Sequence, residues 1–296
     1  MKTGMQSEVG KIRSLILKGV HDAFEDQDSI DQQWQALNYI DKPNFAKAAA
    51  EYEIFLELLS QFDIEIFYSS PNQATGLDSI YVRDTSLICD KGAILCNMGK
   101  KARQAEPQAN SAVFATMDVP ILGAIEGDGQ VEGGDVAWLN ERTLAIAEGY
   151  RTNASGIVQL RDYLGDCVDE LVVAPLPHWQ GAGDVFHLMS CLSPIDEDLC
   201  LVYSPLLTVP FRNRLLDLGF SLVEVPTEEF NSMACNVLAV APRQCIMLEG
   251  NPITRKRLED AGAEVSVYKG EEISLKGCGG PTCLTRPVLR NLQHSL

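Results

Sequence analysis

A thiol, an imidazole and a pair of carboxylates each stand where an apolar strand meets a turn in this 296-residue sequence. They are the cysteine of Gly-Gly-Pro-Thr-Cys283, His187, and the two acids of Glu132-Gly-Gly-Asp135. Such groups together can run nucleophilic catalysis: a thiolate attacks, an imidazole moves protons, and a carboxylate orients the imidazole or grips a planar cation. Cys283 follows a glycine-rich turn, which lets backbone N–H groups come close to a ligand. Most of the nine cysteines instead lie in apolar runs, such as Ile88-Cys89, Leu95-Cys96 and Leu199-Cys200, and read as small buried hydrophobes. His187 is on an apolar strand, where a histidine is more often a satisfied core residue, and His178 in the Pro-His-Trp-Gln loop is the rival base. Glu132-Gly-Gly-Asp135 alone also reads as a polar turn. The combination, rather than any one member, points to a site.

What must position these groups is a repeat of roughly 35–45 residues in the order strand, turn, strand, helix, strand. One unit takes strands at 84–89 and 93–96, a helix over 102–117 with Pro107 in an early turn, and a strand at 120–125. The second runs through 135–139 and 143–147, a helix at 154–164 capped by Thr152 or Asn153, and 170–174. The third uses 186–192, 199–203, a helix near 211–218, and 221–225; the fourth uses 236–240, 245–248, a helix at 253–261, and 264–268. A fifth is split between the ends of the chain: 282–284 opens it, 12–17 pairs alongside, and the helix 44–62 and strand 64–68 complete it. If the units radiate about an axis, their first strands line the centre, with Asp84, Glu132 and Asp135, His187, Asn236 and Cys283 near the starts. The plainer alternative is an α/β sandwich, since strand and helix alternate in many folds. A ring requires the two termini to share one unit.

Apolar residues make up 46% and charged residues 22%, as expected of a globular protein of one large domain over residues 1–296. A net charge of −17 argues against nucleic acid or an anionic membrane as partner, because phosphate binding needs a basic surface. The first residues lack the apolar core of a secretory signal, and no apolar run approaches the roughly 20 residues that span a bilayer. Cytoplasm is the expected location, with disulfides not expected there. The cysteines show no CxxC pair and no zinc-type spacing with histidine, and the chemistry calls for no metal or other cofactor. The polar, acidic stretch 19–28 is a candidate lid.

Several motifs in order resemble the guanidino-group modifying superfamily, and within it the dimethylarginine dimethylaminohydrolases most. They are Asp78-Ser-Ile-Tyr-Val-Arg-Asp84-Thr, Arg103-Gln-Ala-Glu106, Glu132-Gly-Gly-Asp135, Gly149-Tyr-Arg151-Thr-Asn, His187-Leu-Met-Ser and Gly-Gly-Pro-Thr-Cys283, spread over nearly the whole chain. The resemblance implies a five-bladed α/β propeller of pseudo-fivefold ββαβ repeats, with the termini closing one blade. It implies Cys283 as nucleophile, His187 as general acid and base, and Glu132 as the carboxylate that binds the guanidinium and orients the histidine. Asp78 and Asp84 would contact the guanidinium, while Arg103 and Arg151 would hold a substrate carboxylate. The implied substrate is arginine or a methylated arginine, cleaved to citrulline and an amine through a thiouronium. A homodimer is common in that family.

The sequence also departs from the dimethylarginine hydrolases. Glu132 stands where they often have Asp, Val82-Arg83-Asp84 is similar to arginine deiminases, and Gly277-Cys278-Gly-Gly is similar to agmatine deiminases. An arginine deiminase or dihydrolase is therefore an alternative, as is an amidinotransferase that passes the amidino group to an amine. A propeller used only for binding is the non-enzymatic alternative.

Overall fold

Five small sheets make up the structure, a computed structural model that describes residues 3–4, 6–184 and 186–291. In the first blade Ser86–Cys89 runs antiparallel to Gly92–Leu95, and the helix Glu106–Thr116 carries the chain to Ile121–Ala124, parallel to the middle strand. A parallel neighbour needs such a crossover, whereas the antiparallel pair needs only a short turn. The second blade repeats this with Val136–Asn140, Thr143–Glu148, Ala154–Leu164 and Glu170–Pro175. The third uses Leu192–Asp196, Leu199–Val202, Val209–Asp217 and Ser221–Glu224. The fourth uses Leu238–Ala241, Gln244–Leu248, Pro252–Asp260 and Glu264–Tyr268.

The fifth blade joins the two ends of the chain. Arg286–Asn291 pairs antiparallel with Lys11–Leu17, which is parallel to Glu65–Tyr68 after the helix Phe45–Ser60. A short extra strand, Thr3–Gly4, adds to the other edge of Arg286–Asn291. Burial then decides between ring and sandwich. In the first four blades the inner and middle strands are almost wholly buried, while the outer strands are half-exposed. The apolar core is also divided into five clusters, each drawn chiefly from two adjacent blades. Ile16 and Val288 of the fifth blade pack with Ile88 and Leu95 of the first, and Ile12 and Leu15 pack with Leu238 and Ile246 of the fourth. The ring is therefore closed, and the fold is a five-bladed α/β propeller.

Three details differ from the sequence reading. The inner strands begin later than expected, at Ser86, Val136, Leu192, Leu238 and Arg286. Asp84, Asp135 and Ser190 instead lie in single turns of 3₁₀ helix just before the strands, Val82–Thr85, Gly133–Asp135 and Leu188–Ser190. A strand sends alternate side chains to opposite faces, so a turn is better able to aim neighbouring side chains at one point. The expected helix 102–117 splits into a turn at Lys101–Arg103 and a helix from Glu106, because Pro107 lacks an N–H and fits only the first helical turn. Residues 19–28 are not a free lid. Val20, Ala23 and Phe24 are buried in the core, and Asp26 caps the next helix by accepting from Ser29 N at 2.8 Å.

Leu15 is fully buried in the cluster that joins the fifth blade to the fourth. Leu15→Ala is expected to lower the unfolding free energy by about 2–5 kcal/mol, measured by urea titration. A change under about 1 kcal/mol would mean that closure of the ring does not depend on this packing.

Candidate active site

The strand-start turns deliver their side chains to one buried centre. Glu132 is completely buried, and its Oε2 lies 2.7 Å from His187 Nε2. Its Oε1 accepts the backbone N–H of Lys100 at 3.0 Å, and Arg151 Nη1 approaches both oxygens at 3.3 and 3.5 Å. Asp135 holds the turn that carries the histidine: its Oδ1 accepts Leu188 N at 3.1 Å and its Oδ2 accepts the Thr152 hydroxyl at 2.7 Å. Asn153 is accordingly the residue that caps the following helix, accepting Gly156 N at 2.9 Å.

Gly134 is required by this crowding. A Cβ there would sit 2.5 Å from His187 Nδ1 and 2.8 Å from Asp84 Oδ1. Gly280 serves the thiol turn in the same way, since a Cβ would fall 2.4 Å from Asn236 Oδ1. That oxygen accepts Thr282 N at 3.1 Å and the Thr282 hydroxyl at 2.9 Å, while Asn236 Nδ2 donates to Cys283 Sγ at 3.4 Å. The fourth blade thus fixes the thiol contributed by the turn into the fifth.

Electrostatics follow from the pairing. Burial opposes ionisation of Glu132, yet the His187 hydrogen bond and the charges of His187, Arg151 and Arg103 hold it well below the usual carboxylate range. Burial likewise opposes the imidazolium, but Asp135, Asp84 and Glu132 raise the His187 pKa above its ordinary value. Linkage gives the pair a pH window. The depressed carboxylate stabilises the fold above its unfolded value near ~4.3 and loses this as pH falls through the folded value. The raised imidazole stabilises fully below about 6.5 and loses this as pH rises through its folded value. Cys283 differs: burial first, then Asp84, pushes its thiol pKa up.

The guanidine-end residues divide into two groups. Asp84 Oδ2 accepts Arg103 Nη1 at 2.6 Å, while Asp84 Oδ1 is buried without a protein partner. Asp78 Oδ2 accepts Lys100 Nζ at 2.6 Å. Arg103 departs from its expected role as a carboxylate clamp. Its Nε and Nη2 grip Glu106 at 2.8–3.1 Å, and Nη2 also donates to the carbonyls of Tyr81 and Asp78. With its donors so occupied, it braces Asp84 instead. Arg83 turns away toward Glu8 and the Val136 carbonyl, at 2.8 and 3.2 Å.

A cavity of about 290 Å³ opens onto Cys283 and His187, lined also by Trp179, Phe230, Ile40 and Cys278. A narrower recess behind it touches Asp78, Asp84, Lys100, Arg103 and Arg151 as well as His187 and Cys283. Six of the seven residues expected from the sequence line this recess, and Glu132 lies buried beside it, in contact with His187 and Arg151. His178, the rival base, lines neither cavity and contacts Tyr150 Oη at 2.6 Å near the surface. A larger cavity of about 520 Å³ lies at the far ends of the inner strands, with no thiol or imidazole in its lining. One atom each of Asp84, Glu132 and His187 lie within 4.8 Å of one another, the one group that could hold a metal among the described residues. Two of these side chains are already bonded to each other. Lys100 was not legible beforehand, because a lysine in a loop ordinarily signals only surface. Thr152 had signalled only a helix cap.

Known proteins share this arrangement of fold and sequence. The family described as N,N dimethylarginine dimethylhydrolase, eukaryotic, matches residues 21–290. The N(G),N(G)-dimethylarginine dimethylaminohydrolase of Pseudomonas aeruginosa is 27% identical over 249 residues, which span 84% of this chain and 91% of that protein. A solved mutant of the Pseudomonas aeruginosa enzyme with citrulline superposes with a TM-score of 0.75 at 23% identity, covering 93% of this chain and 98% of its own. SxtG, an amidinotransferase from Microseira wollei, reaches a TM-score of 0.79 at 16% identity, with 98% of each chain covered. The chain belongs to the N,N-dimethylarginine dimethylhydrolase family, hydrolases that act on C–N bonds of linear amidines.

Proposed function

We propose that this enzyme cleaves the guanidino carbon of arginine or an N-methylated arginine through a covalent Cys283 thiouronium, yielding citrulline and an amine. The observation that carries this reading is the buried, unpartnered Asp84 Oδ1, which crowds the same Gly134 surface as His187 Nδ1 in a site shared with Cys283. A buried carboxylate oxygen without a donor is costly, and a guanidinium N–H would satisfy it. The named relative from Pseudomonas aeruginosa supports the same substrate class.

Each group has a role in this scheme. The substrate cation, held by Asp84 and Glu132, lowers the cost of ionising Cys283, whose thiol is otherwise kept protonated by burial, and the thiol proton passes to solvent as the cation binds. The thiolate forms a C–S bond to the guanidino carbon, and a proton from His187 leaves with the amine as the C–N bond breaks. His187 then takes a proton from water, which adds to the carbon. Breakage of the C–S bond, with the added hydroxyl losing its proton to solvent, releases citrulline and restores the thiolate. With Nε2 held by Glu132, Nδ1 is the nitrogen left to exchange protons. Asp78 contributes to the guanidinium end in competition with Lys100. Arg151, whose contacts to Glu132 are long, is the cation available to a substrate carboxylate in place of Arg103.

Product analysis by mass spectrometry tests the reading. Arginine, monomethylarginine and asymmetric dimethylarginine are supplied separately, with Cys283→Ala as control. Citrulline with methylamine, dimethylamine or ammonia is expected, falling by at least about 10³-fold in the variant. Full turnover by Cys283→Ala would reject the thiol mechanism, and ornithine with two ammonia molecules would move the enzyme to the dihydrolases.

Ionisation of the thiol gives a second test. Iodoacetamide labelling of Cys283 in the free enzyme should rise with pH to a midpoint above about 8.5, the ordinary thiol value. A chloroacetamidine, whose amidinium mimics the substrate, should label the same thiol readily at neutral pH. Equal pH profiles for both reagents would contradict activation by the substrate cation. A third test uses Gly134→Ala, which forces His187 and Asp84 apart: kcat should fall by about 10²-fold with the circular dichroism spectrum unchanged. Unaltered kcat would show that the close approach at Gly134 is irrelevant to turnover.

A further inference from the structure

Two cavities meet at Cys283 and His187, and their linings are opposite in character. The narrow recess holds the charges: Asp78, Asp84, Lys100, Arg103 and Arg151. The cavity of about 290 Å³ is walled by Met189, Phe230, Met233 and Leu275, and none of its described lining residues is a lysine or an arginine. A substrate carboxylate therefore finds its partner, Arg151, on the recess side. The apolar cavity takes a different part of the substrate.

Its wall is supported from behind. Phe230 stacks on Tyr203 with ring centroids 4.0 Å apart, and Trp179 meets Phe230 edge to face at 6.1 Å. Where the cavity meets solvent, Trp179 and Ile40 stay 42% and 69% exposed. Trp179, Met233 and Cys278 have φ of 44°, 61° and 60°, and so supply three of the seven left-handed non-glycine residues described. Such backbone is costly for bulky side chains and collects at ligand-binding sites. Strain is concentrated on this lining.

The proposed proton transfer fixes what faces this space. His187 protonates the leaving amine from Nδ1, and Gly134 lies against that nitrogen, since a Cβ there would stand 2.5 Å from it. Gly134 lines the apolar cavity and not the recess. A leaving nitrogen within hydrogen-bond reach of Nδ1 therefore sends its substituent past Gly134 into the apolar space. Two methyl groups would leave most of that space empty, because a void of about 150 Å³ already holds a benzene ring. Resting on the reaction proposed for this site, we infer that the cavity is a leaving-amine pocket, and that the preferred substrate is an arginine whose terminal nitrogen carries an apolar substituent larger than methyl. Cys283 forms the C–S bond, the C–N bond to the larger amine breaks, and that amine departs with the His187 proton. Water then releases citrulline as for the smaller substrates.

The test compares the full chain on Nω-methyl-, Nω-propyl- and Nω-butylarginine, with the released amine quantified by mass spectrometry. These amines are nearly equal in basicity, so differences in kcat/KM report the pocket. Each buried methylene should raise kcat/KM by about 4-fold, or about 60-fold from methyl to butyl. Phe230→Ser removes an apolar wall, and Trp179→Ala truncates an exposed side chain that folding does not depend on. Each should reduce the methyl-to-butyl ratio to below about 10-fold. Level or falling kcat/KM along the series, with methylarginine still cleaved, would overturn the inference, leave the cavity an access channel and leave the proposed reaction standing. A rising series that neither variant flattens would remove the pocket from this cavity. Turnover of none of the three would reject the reaction and the pocket together.

Discussion

Charges buried away from water must be answered by other charges, and this one constraint organises the site. Glu132 has no access to solvent, yet it is held ionised by His187 from the next blade, by Arg151 beyond its own hairpin, and by the Lys100 backbone N–H from the first blade. His187 and Lys100 come from other blades than Glu132, so neither can be placed until the blades have met. Removing one partner from such a pair typically exposes the other to an uncompensated desolvation penalty. The site is therefore a product of ring closure, and the pseudo-fivefold architecture is what lets distant turns deliver acid, base and thiol to one centre.

Much of the fold was legible because its signals are local. Asn153 and Asn44 could be read as helix starts, and both accept the expected backbone N–H groups. The helix at 154–164 and the strand at 264–268 were found with their full bounds. The shared fifth blade could be inferred from unit order alone, since the two ends of the chain each held part of a repeat. The late starts of the inner strands escaped, because a 3₁₀ turn such as Val82–Thr85 leaves no hydrophobic period of its own. His187 shows the difference well. Its apolar neighbours suggested a strand from 186, whereas it caps a turn whose strand begins at Leu192.

Roles at the site were harder to read than membership. Arg103 and Arg151 carry the same group and border the same recess, but Glu106 lies one helical turn after Arg103 and takes up its forked donors. A two-pronged arginine–carboxylate contact is both directional and strong, which leaves Arg103 bracing Asp84. Arg151 keeps longer contacts at 3.3 and 3.5 Å. Lys100 illustrates the reverse case. Nothing in its sequence neighbourhood suggests burial, and only the folded ring places its ammonium between Asp78 and the Leu37 carbonyl, 2.6 Å from each.

The account stands on the Glu132 carboxylate holding His187 as an imidazolium in the free enzyme. Nitrogen-15 NMR of the histidine side chains, titrated in the native protein and in Glu132→Gln, tests this most directly. The native His187 should stay protonated well above pH 6.5, and the glutamine variant should titrate lower because the ion pair is gone while burial remains. If His187 titrates at the same pH in both proteins, Glu132 does not set its charge, and the electrostatic basis for the acid–base step is wrong.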